Sequence, residues 1–289
     1  MEIKASDVMK LRQMTGVSMM ECKKALQKTE GDCEAAVKLL RELGQATSAK
    51  RADKATKEGL VFAKASADGT KVALVEVNCE TDFVANAEDF KAFTEKVADL
   101  ALAGEKDLTA ATAEAHETIV AKLGEKIEIR RSDVMDLSGT GKLASYIHMG
   151  GKIGVIAEVG CDNAATLDNP EFQQLVKDLC LQICASAPKW LERAQVPADV
   201  IASEMEINRK KIEAEQAEKG GKPKPAEILE KIAQGQLNKF YQENCLLEQA
   251  FWKNEPGQKT TVTQLMDTVC KKVNDKVVLR RYIRYTRGA

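Results

Sequence analysis

Histidine and cysteine are the residue types used most often in catalysis and metal binding, and the chain has two histidines and eight cysteines. His116 lies in a polar helical pattern, which predicts a surface position, and His148 lies between two predicted strands. No serine or cysteine lies in a nucleophile-elbow motif, and no glycine-rich loop ends in Gly-Lys-Ser/Thr. The acidic residues are many but scattered. We therefore predict no catalytic residue and no enzyme activity.

The cysteine pattern favours buried free thiols over a disulfide framework or a metal site. Most cysteines lie among apolar residues in helical or strand patterns, as buried free thiols do. These are Cys22, Cys33, Cys79, Cys161, Cys180, Cys184 and Cys270. Cys180 and Cys184 share a predicted helix face, but the sequence nearby has neither a histidine nor a second cysteine pair. No signal peptide precedes them, so we expect the protein to lie in the reducing cytoplasm. We expect the protein to hold neither a metal ion nor a cofactor.

Composition and charge limit the classes of partner. The chain has 289 residues, enough for two or three small domains, and its formal net charge is −1 with both signs interspersed. A broad nucleic-acid surface is therefore not expected. In the basic segment 280–287, polar and apolar residues alternate as they do in a strand, which favours a solvated strand or an edge strand. A local RNA contact is the alternative. No apolar run approaches transmembrane length, so no membrane partner is expected.

An internal repeat organises the middle of the chain. Residues 59–102 align with 141–184 without a gap, and several pairs are identical: Gly59 with Gly141, Gly69 with Gly151, Glu76 with Glu158, Cys79 with Cys161 and Phe90 with Phe172. Each copy predicts a strand, a glycine turn, a second strand and a helix. The copies differ most between the second strand and the helix. We call this connection between the second strand and the helix the corner. Because the rest of the scaffold is shared, the difference indicates that function was added at the corner.

The corner of the first copy contains the segment Thr81–Val84, in which a carboxylate precedes an aromatic ring. Burying a Phe side chain is worth about 1.5–3 kcal/mol, so a Phe on a loop needs a reason. One interpretation is that Phe83 folds back onto its own sheet, with Asp82 or Asn86 capping a helix over 88–103. The other is a wedge, an aromatic ring beside a carboxylate that is presented to a partner. The second copy lacks Phe here, which favours the wedge.

Before the repeat, Ser6, Ser18 and Asp32 are predicted N-caps of three short helices, the last ending at Gly44. These helices, residues 1–45, form a bundle with a marginal core that suits a docking head. The remaining segments follow in order: a linker at 46–58, helical or flexible, the first copy at 59–140, the second copy at 141–191, a helical hairpin at 192–243, and a return to the core with a C-terminal strand at 244–289.

The fold class that these segments predict is α+β, with a three-helix head, a duplicated core and an inserted antiparallel helical hairpin. Apolar residues are sparse on both sides of the Gly/Pro break at 220–225 in the hairpin. The hairpin therefore buries little surface alone. We expect it to pack on a partner or on a second copy of itself.

Three motifs together resemble the bacterial elongation factor Ts family. They are Leu11–Leu26 in the head, Asn78–Ala85 at the corner, and Tyr146-Ile147-His148 followed by Gly151–Val155 in the second copy. They occur in the order of the family, and the resemblance covers nearly the whole chain. It implies a UBA-like head and a hairpin of the dimerisation or coiled-coil type, so a homodimer through the hairpin is one expected assembly.

The resemblance implies a guanine-nucleotide exchange factor that binds elongation factor Tu, in its GDP-bound and nucleotide-free states, and acts without covalent chemistry. Thr81, Asp82, Phe83 and Val84 would contact that GTPase. Phe83 would wedge between helices beside the magnesium and phosphate site, and Asp82 would disturb the groups that position the ion.

The resemblance also implies contacts away from the corner. Leu11, Arg12, Met19 and Met20 would bind the partner from the head, and His148 would bind it from the second copy. Methionine suits such a surface because it repacks easily. Core packing within the bundle is the alternative for one of the two methionines.

Two other classes of function stay open at this point. One is a scaffold or chaperone-like module whose head docks peptides, and the other is a metal or thiol enzyme that uses its cysteines. A passive binding module would not accelerate GDP release, so the effect of Phe83→Ala on release separates the first of these from an exchange factor.

Overall fold

Three helices open the chain in the computed structural model, which describes residues 3–51, 53–219 and 226–289. They are α1 (Ala5–Thr15), α2 (Met19–Lys28) and α3 (Cys33–Lys50). Ser18 accepts a hydrogen bond from the Glu21 backbone N–H, which confirms it as the N-cap of α2. The Asp32 carboxylate accepts from two N–H groups of the first turn of α3, as predicted. The Ser6 prediction was wrong, because α1 already begins at Ala5.

Gly44 does not end the third helix, which continues to Lys50. A Cβ atom on Gly44 would lie 2.5 Å from the Glu117 carbonyl oxygen and 3.2 Å from the Ala121 Cβ. Glu117 and Ala121 belong to a later helix, α7 (Ala113–Leu123). Glycine is therefore needed here for the close approach of two helix backbones rather than for a C-cap.

The first copy of the repeat forms a three-stranded antiparallel sheet with helices packed against it. Its strands lie in the order β1-β2-β3. Between β2 and β3 the chain forms four helices, the last of which is α7. The bounds are β1 Glu58–Ala65, β2 Lys71–Cys79, α4 Asp82–Ala85, α5 Glu88–Leu102, α6 Leu108–Ala111 and β3 Glu128–Asp136. Because β2 is the central strand, eight of its nine residues are buried.

The second copy repeats this plan. Its strands lie in the order β4-β5-β6, and the central strand β5 again has eight buried residues of nine. The bounds are β4 Gly141–His148, β5 Ile153–Cys161, α8 Pro170–Ser186, α11 Val262–Val273 and β6 Val277–Thr286. The basic segment 280–287 thus belongs mainly to an edge strand, as expected. Thr261 caps α11 through a capping box.

A helical hairpin is inserted between α8 and α11. It consists of α9 (Ala198–Lys219) and α10 (Ala226–Asn244), and the predicted Gly/Pro break between them lies outside the described residues. Ile212 of α9 and Ala233 of α10 are buried in this segment, whereas Ile207 and Ile228 are exposed. Among the helices in the described ranges, none combines the length and apolar character needed to cross a bilayer.

The predicted α+β architecture is confirmed: a three-helix head, a duplicated core and an inserted hairpin. The chain divides into two compact units, and the division passes through the second sheet. The first unit comprises residues 1–137, 143–156 and 282–289, and the second comprises 138–142 and 157–281. The domain boundaries assigned from the sequence stay predictions.

Candidate functional site

The corner of the first copy presents an aromatic side chain to solvent. Phe83 is 84% exposed, although it is followed directly by Val84 and Ala85, which are buried in the core of the first copy. The interpretation that Phe83 folds back onto its own sheet is therefore wrong. Neither Asp82 nor Asn86 caps α5, whose N-cap is Ala87 without a side-chain hydrogen bond.

Local hydrogen bonds build the single turn of helix that carries the ring. Thr81 is extended and caps α4, since its hydroxyl accepts from the Val84 N–H at 3.4 Å. Asp82 places its carboxylate in the first turn of α4, where the partial positive charge of a helix N-terminus favours it. The Asn86 side chain donates to the Asp82 carbonyl oxygen at 2.8 Å and closes the turn.

A glutamate from a distant part of the chain holds the start of this turn. One carboxylate oxygen of Glu125 accepts from the backbone N–H groups of Glu80 and Thr81, at 3.1 and 3.0 Å. Its other oxygen accepts from the Thr81 hydroxyl at 2.6 Å. Glu125 directly follows Gly124, which ends α7 in the left-handed conformation with φ 72°.

Glu80 and Cys79 fix the chain just before the turn. The Glu80 carboxylate accepts from the Lys126 N–H at 2.7 Å and from the Arg51 guanidinium, and these hydrogen bonds lower its pKa. The Cys79 thiol donates to the Thr81 carbonyl oxygen at 3.1 Å, and burial raises its pKa to about 12. The thiol is therefore neutral and structural rather than a nucleophile.

Among the described large apolar residues of the head, methionines are the most exposed. Met19 and Met20 are 40% and 64% exposed, so neither is a core residue, and Arg12 is also exposed. Leu11, by contrast, is completely buried in the bundle core. Its side chain shapes the head from within and is not part of the exposed surface.

The two histidines occupy different environments. His148 ends β4, is half-buried, and has its Nδ1 atom 3.0 Å from the Tyr146 hydroxyl. His116 does not lie on the surface as predicted. It is half-buried beside Phe93, and its Nε2 atom lies 2.7 Å from the Ile127 carbonyl oxygen, so it has a structural role.

All nine predicted partner-binding residues lie in the first compact unit, in three groups on the head, the corner and the end of β4. All eight cysteines are free, and each is buried or half-buried, as the pattern indicated. Within the described residues, no group of three or more His, Cys, Asp and Glu side chains is arranged to hold a metal ion.

Comparison with known proteins decides the family. The family described as Elongation factor TS matches residues 80–289, which include the corner. A protein of Clostridium botulinum (strain Eklund 17B / Type B) named Elongation factor Ts is 41% identical, and the alignment covers 99% of this chain and 93% of that protein. The chain belongs to the elongation factor Ts family.

Other members of the elongation factor Ts family extend the match over the head. One from Chloroherpeton thalassium is 40% identical, with 99% of each chain covered, and one from Nitratidesulfovibrio vulgaris (strain DP4) is 40% identical, with 100% of this chain and 96% of that protein covered. The resemblance found in the sequence is thus confirmed. The class is that of the nucleotide-exchange factors of translation elongation.

Three further residues of the head and the corner were not predicted from the sequence. Met9 and Met14 of the head are 54% and 60% exposed, which extends the exposed methionines beyond Met19 and Met20. Glu125, which holds the corner, was also missed. The repeat offers a signal for Glu125, because it continues past residue 184. Gly124-Glu125 corresponds to Asn274-Asp275, and each pair lies directly after a helix and before a strand.

Proposed function

We propose that this chain binds elongation factor Tu carrying GDP and promotes the exchange of GDP for GTP. Phe83 and Asp82 would enter beside the magnesium and phosphate site of the partner, with no covalent chemistry on either protein. The observation that carries the proposal is the 84% exposed ring of Phe83 on a corner whose backbone is hydrogen-bonded on both sides. Family membership supports the choice of partner, and the protein would act in the cytoplasm, where translation elongation takes place.

The energy needed is within reach of these side chains. A hundredfold weakening of GDP binding requires about 2.8 kcal/mol of coupling between the two sites. Moving an exposed Phe ring into an apolar pocket is worth about 1.5–3 kcal/mol. Because hydrogen bonds already hold the corner in place, little of this free energy is lost in ordering the corner when the protein binds its partner. The Asp82 carboxylate would add a charge beside the groups that hold the metal ion.

The head and the end of β4 would supply further contacts in this proposal. Met19, Met20 and Arg12 are exposed and would bind another face of the partner, while Leu11 would act only by supporting the bundle. His148 would contribute from the second copy, held by Tyr146. A homodimer through the hairpin would involve the exposed faces of α9 and α10.

The test follows the release of fluorescent GDP from elongation factor Tu in excess unlabelled GDP. We expect substoichiometric amounts of this protein to accelerate release, and Phe83→Ala to lose most of that acceleration while remaining folded. Trp252→Ala is the control, since it removes another exposed aromatic ring, from the second compact unit. If the unaltered, folded protein fails to accelerate release, the proposed function is wrong and a passive binding module is favoured.

A further inference from the structure

The carboxylate of Glu125 is the acceptor for three donors at the start of the functional corner. Two of the donors are successive backbone N–H groups, of Glu80 and Thr81, and the third is the Thr81 hydroxyl. Hydrogen bonds to an ionised carboxylate are shorter and stronger than bonds between neutral groups. One side chain therefore fixes the two peptide planes that precede α4.

The helix that carries Phe83 cannot hold its own direction. α4 spans Asp82–Ala85, a single turn, and a turn of this length is not stable by itself in water. Its direction depends on the anchors at its ends. Val84 and Ala85 are buried on the core side, and Glu125 provides the anchor on the strand side. Loss of the Glu125 anchor would let the Thr81 peptide rotate and change where the Phe83 ring points.

Glu125 also stands at the end of an element that packs on the head. α7 approaches α3 so closely that a Cβ on Gly44 would meet the Glu117 carbonyl oxygen, and Ala121 packs against the head core. Arg41 of α3 forms an ion pair with Glu114 at the start of α7. The same helix therefore contacts the head and, directly after its last turn, holds the corner.

We infer that Glu125 is a positioning residue for the exchange reaction: it sets the direction of Phe83 and ties the corner to the helix on which the head packs. The inference rests on the proposed function. The second copy provides a matched control, because Asp275 accepts from the Asn163 N–H at 3.0 Å and from the Thr166 hydroxyl at 2.6 Å. That corner is also held by a carboxylate that follows a helix, although its hydroxyl donor lies within the turn, and it has no exposed aromatic ring.

The experiment compares Glu125→Ala, Glu125→Gln, Asp275→Ala and Phe83→Ala with the unaltered protein. The kcat and KM for GDP release are measured by varying the concentration of elongation factor Tu loaded with fluorescent GDP. We expect Glu125→Ala to lower kcat about tenfold or more, as misplacement of a functional group does, with KM within about threefold. Glu125→Gln keeps an oxygen that can accept from both N–H groups, so it should recover most of kcat. Asp275→Ala should leave kcat unchanged.

Hydrogen–deuterium exchange of the free proteins gives a second readout. Amides of residues 80–86 should exchange faster in Glu125→Ala than in the unaltered protein, and those of Asp275→Ala should not. Should Glu125→Ala fail to fold, Thr81→Val removes only the hydroxyl that donates to Glu125 and caps α4. It should lower kcat in the same direction.

Each outcome decides the inference. It is overturned if folded Glu125→Ala retains the kcat of the unaltered protein, or if Asp275→Ala lowers kcat as much, which would indicate a general structural role. If Phe83→Ala is slow and Glu125→Ala is normal, only this inference fails. If Phe83→Ala releases GDP as fast as the unaltered protein, the wedge in the proposed function fails with it.

Discussion

The corner of the first copy presents Asp82 and Phe83, whereas the corner of the second presents Ala164 and Ala165 at the corresponding positions. Each corner forms a short helical turn, which is α-helical at Asp82–Ala85 and a 3₁₀ helix at Ala164–Asp168. Each turn begins with a side chain that caps it, and each is held by a carboxylate from the end of a later helix. The exposed ring therefore distinguishes the first corner from the second, together with the type of turn that carries it. Both copies have this scaffold, but only the first carries an exposed aromatic ring, that of Phe83, at its corner.

The likeness of the copies extends to a charged cluster that the sequence analysis did not predict. In each copy, a completely buried glutamate of the central strand accepts from two consecutive arginines of the third strand. The sets are Glu76 with Arg130 and Arg131, and Glu158 with Arg280 and Arg281. In the first copy a register shift in β3 allows neighbouring arginines to reach one face, where regular strand residues alternate.

The largest expected effect comes from breaking these clusters. Glu76→Ala and Glu158→Ala should each lower the free energy of unfolding by about 3 kcal/mol, because the buried carboxylate is lost while the arginines, which are partly exposed, remain hydrated. Denaturant unfolding followed by circular dichroism measures it, with the matching glutamine variants as controls for shape. Unequal losses in the two copies would show that the scaffolds are not energetically equivalent.

Protonation of Glu158 at low pH should lower the free energy of unfolding. Burial raises the pKa of its carboxyl group, but hydrogen bonds from Ser138, Arg281 and Arg280 outweigh burial and lower the pKa from 4.5 to about 2. Because the pKa is lower in the folded state, this stabilisation is present above pH 4.5 and is lost as the pH falls toward 2. The loss should amount to about 3 kcal/mol.

Unfolding free energies of the unaltered protein and of Glu158→Gln, measured between pH 6 and about pH 2.5, test this acid effect. The difference between the two proteins should shrink as the pH falls. Glu88→Gln, which removes an exposed carboxylate, controls for the loss of one charge. A difference that stays constant over this range would contradict the lowered pKa of Glu158.

Exchanging the two residues that differ between the corners tests whether they account for the exchange activity. Asp82→Ala with Phe83→Ala makes the first corner like the second, and it should slow GDP release about thirtyfold, near the 2 kcal/mol typical of an interface hot spot. The fold should persist, because both side chains are exposed. The reverse change, Ala164→Asp with Ala165→Phe, should not restore release in that variant. Restored release would mean that the two corners are functionally interchangeable.

The smallest expected effect concerns the caps of the two corners. Asn163→Ala should lower the free energy of unfolding by about 1 kcal/mol, since it removes a side chain that accepts from the turn, and Thr81→Ala should lower it by about 2 kcal/mol, since it also removes the hydroxyl that donates to Glu125. Thermal unfolding measures both. GDP release should slow only in Thr81→Ala. Equal slowing by Asn163→Ala would indicate that the second corner also takes part.

Local signals predicted much of this structure correctly. Ser18 and Asp32 cap the helices that follow them, because a cap bonds to backbone groups only two or three residues away. The repeat likewise predicted two strands and a helix in each copy, since the alternation of apolar residues is a property of each strand. The exposed position of Phe83 was the favoured of two interpretations, and it rested on comparing the copies.

Other features depended on partners that are distant in sequence. Gly44 has the local pattern of a helix end, yet α3 continues past it because α7 packs against that glycine. His116 has a polar helical neighbourhood, yet it lies beside Phe93 and the Ile127 carbonyl oxygen. Glu125 reaches a corner more than forty residues earlier.

The sequence by itself therefore determined the family, the repeat, the starts of α2 and α3, and the segment that carries the exposed ring. Only the tertiary structure decided which carboxylate holds that segment, which head residues are exposed, and that Leu11 is buried. The physical reason is the range of the interactions. Caps and periodicity act over a few residues, whereas a hydrogen bond from Thr81 to Glu125 exists only after α7 and β2 have packed into one unit.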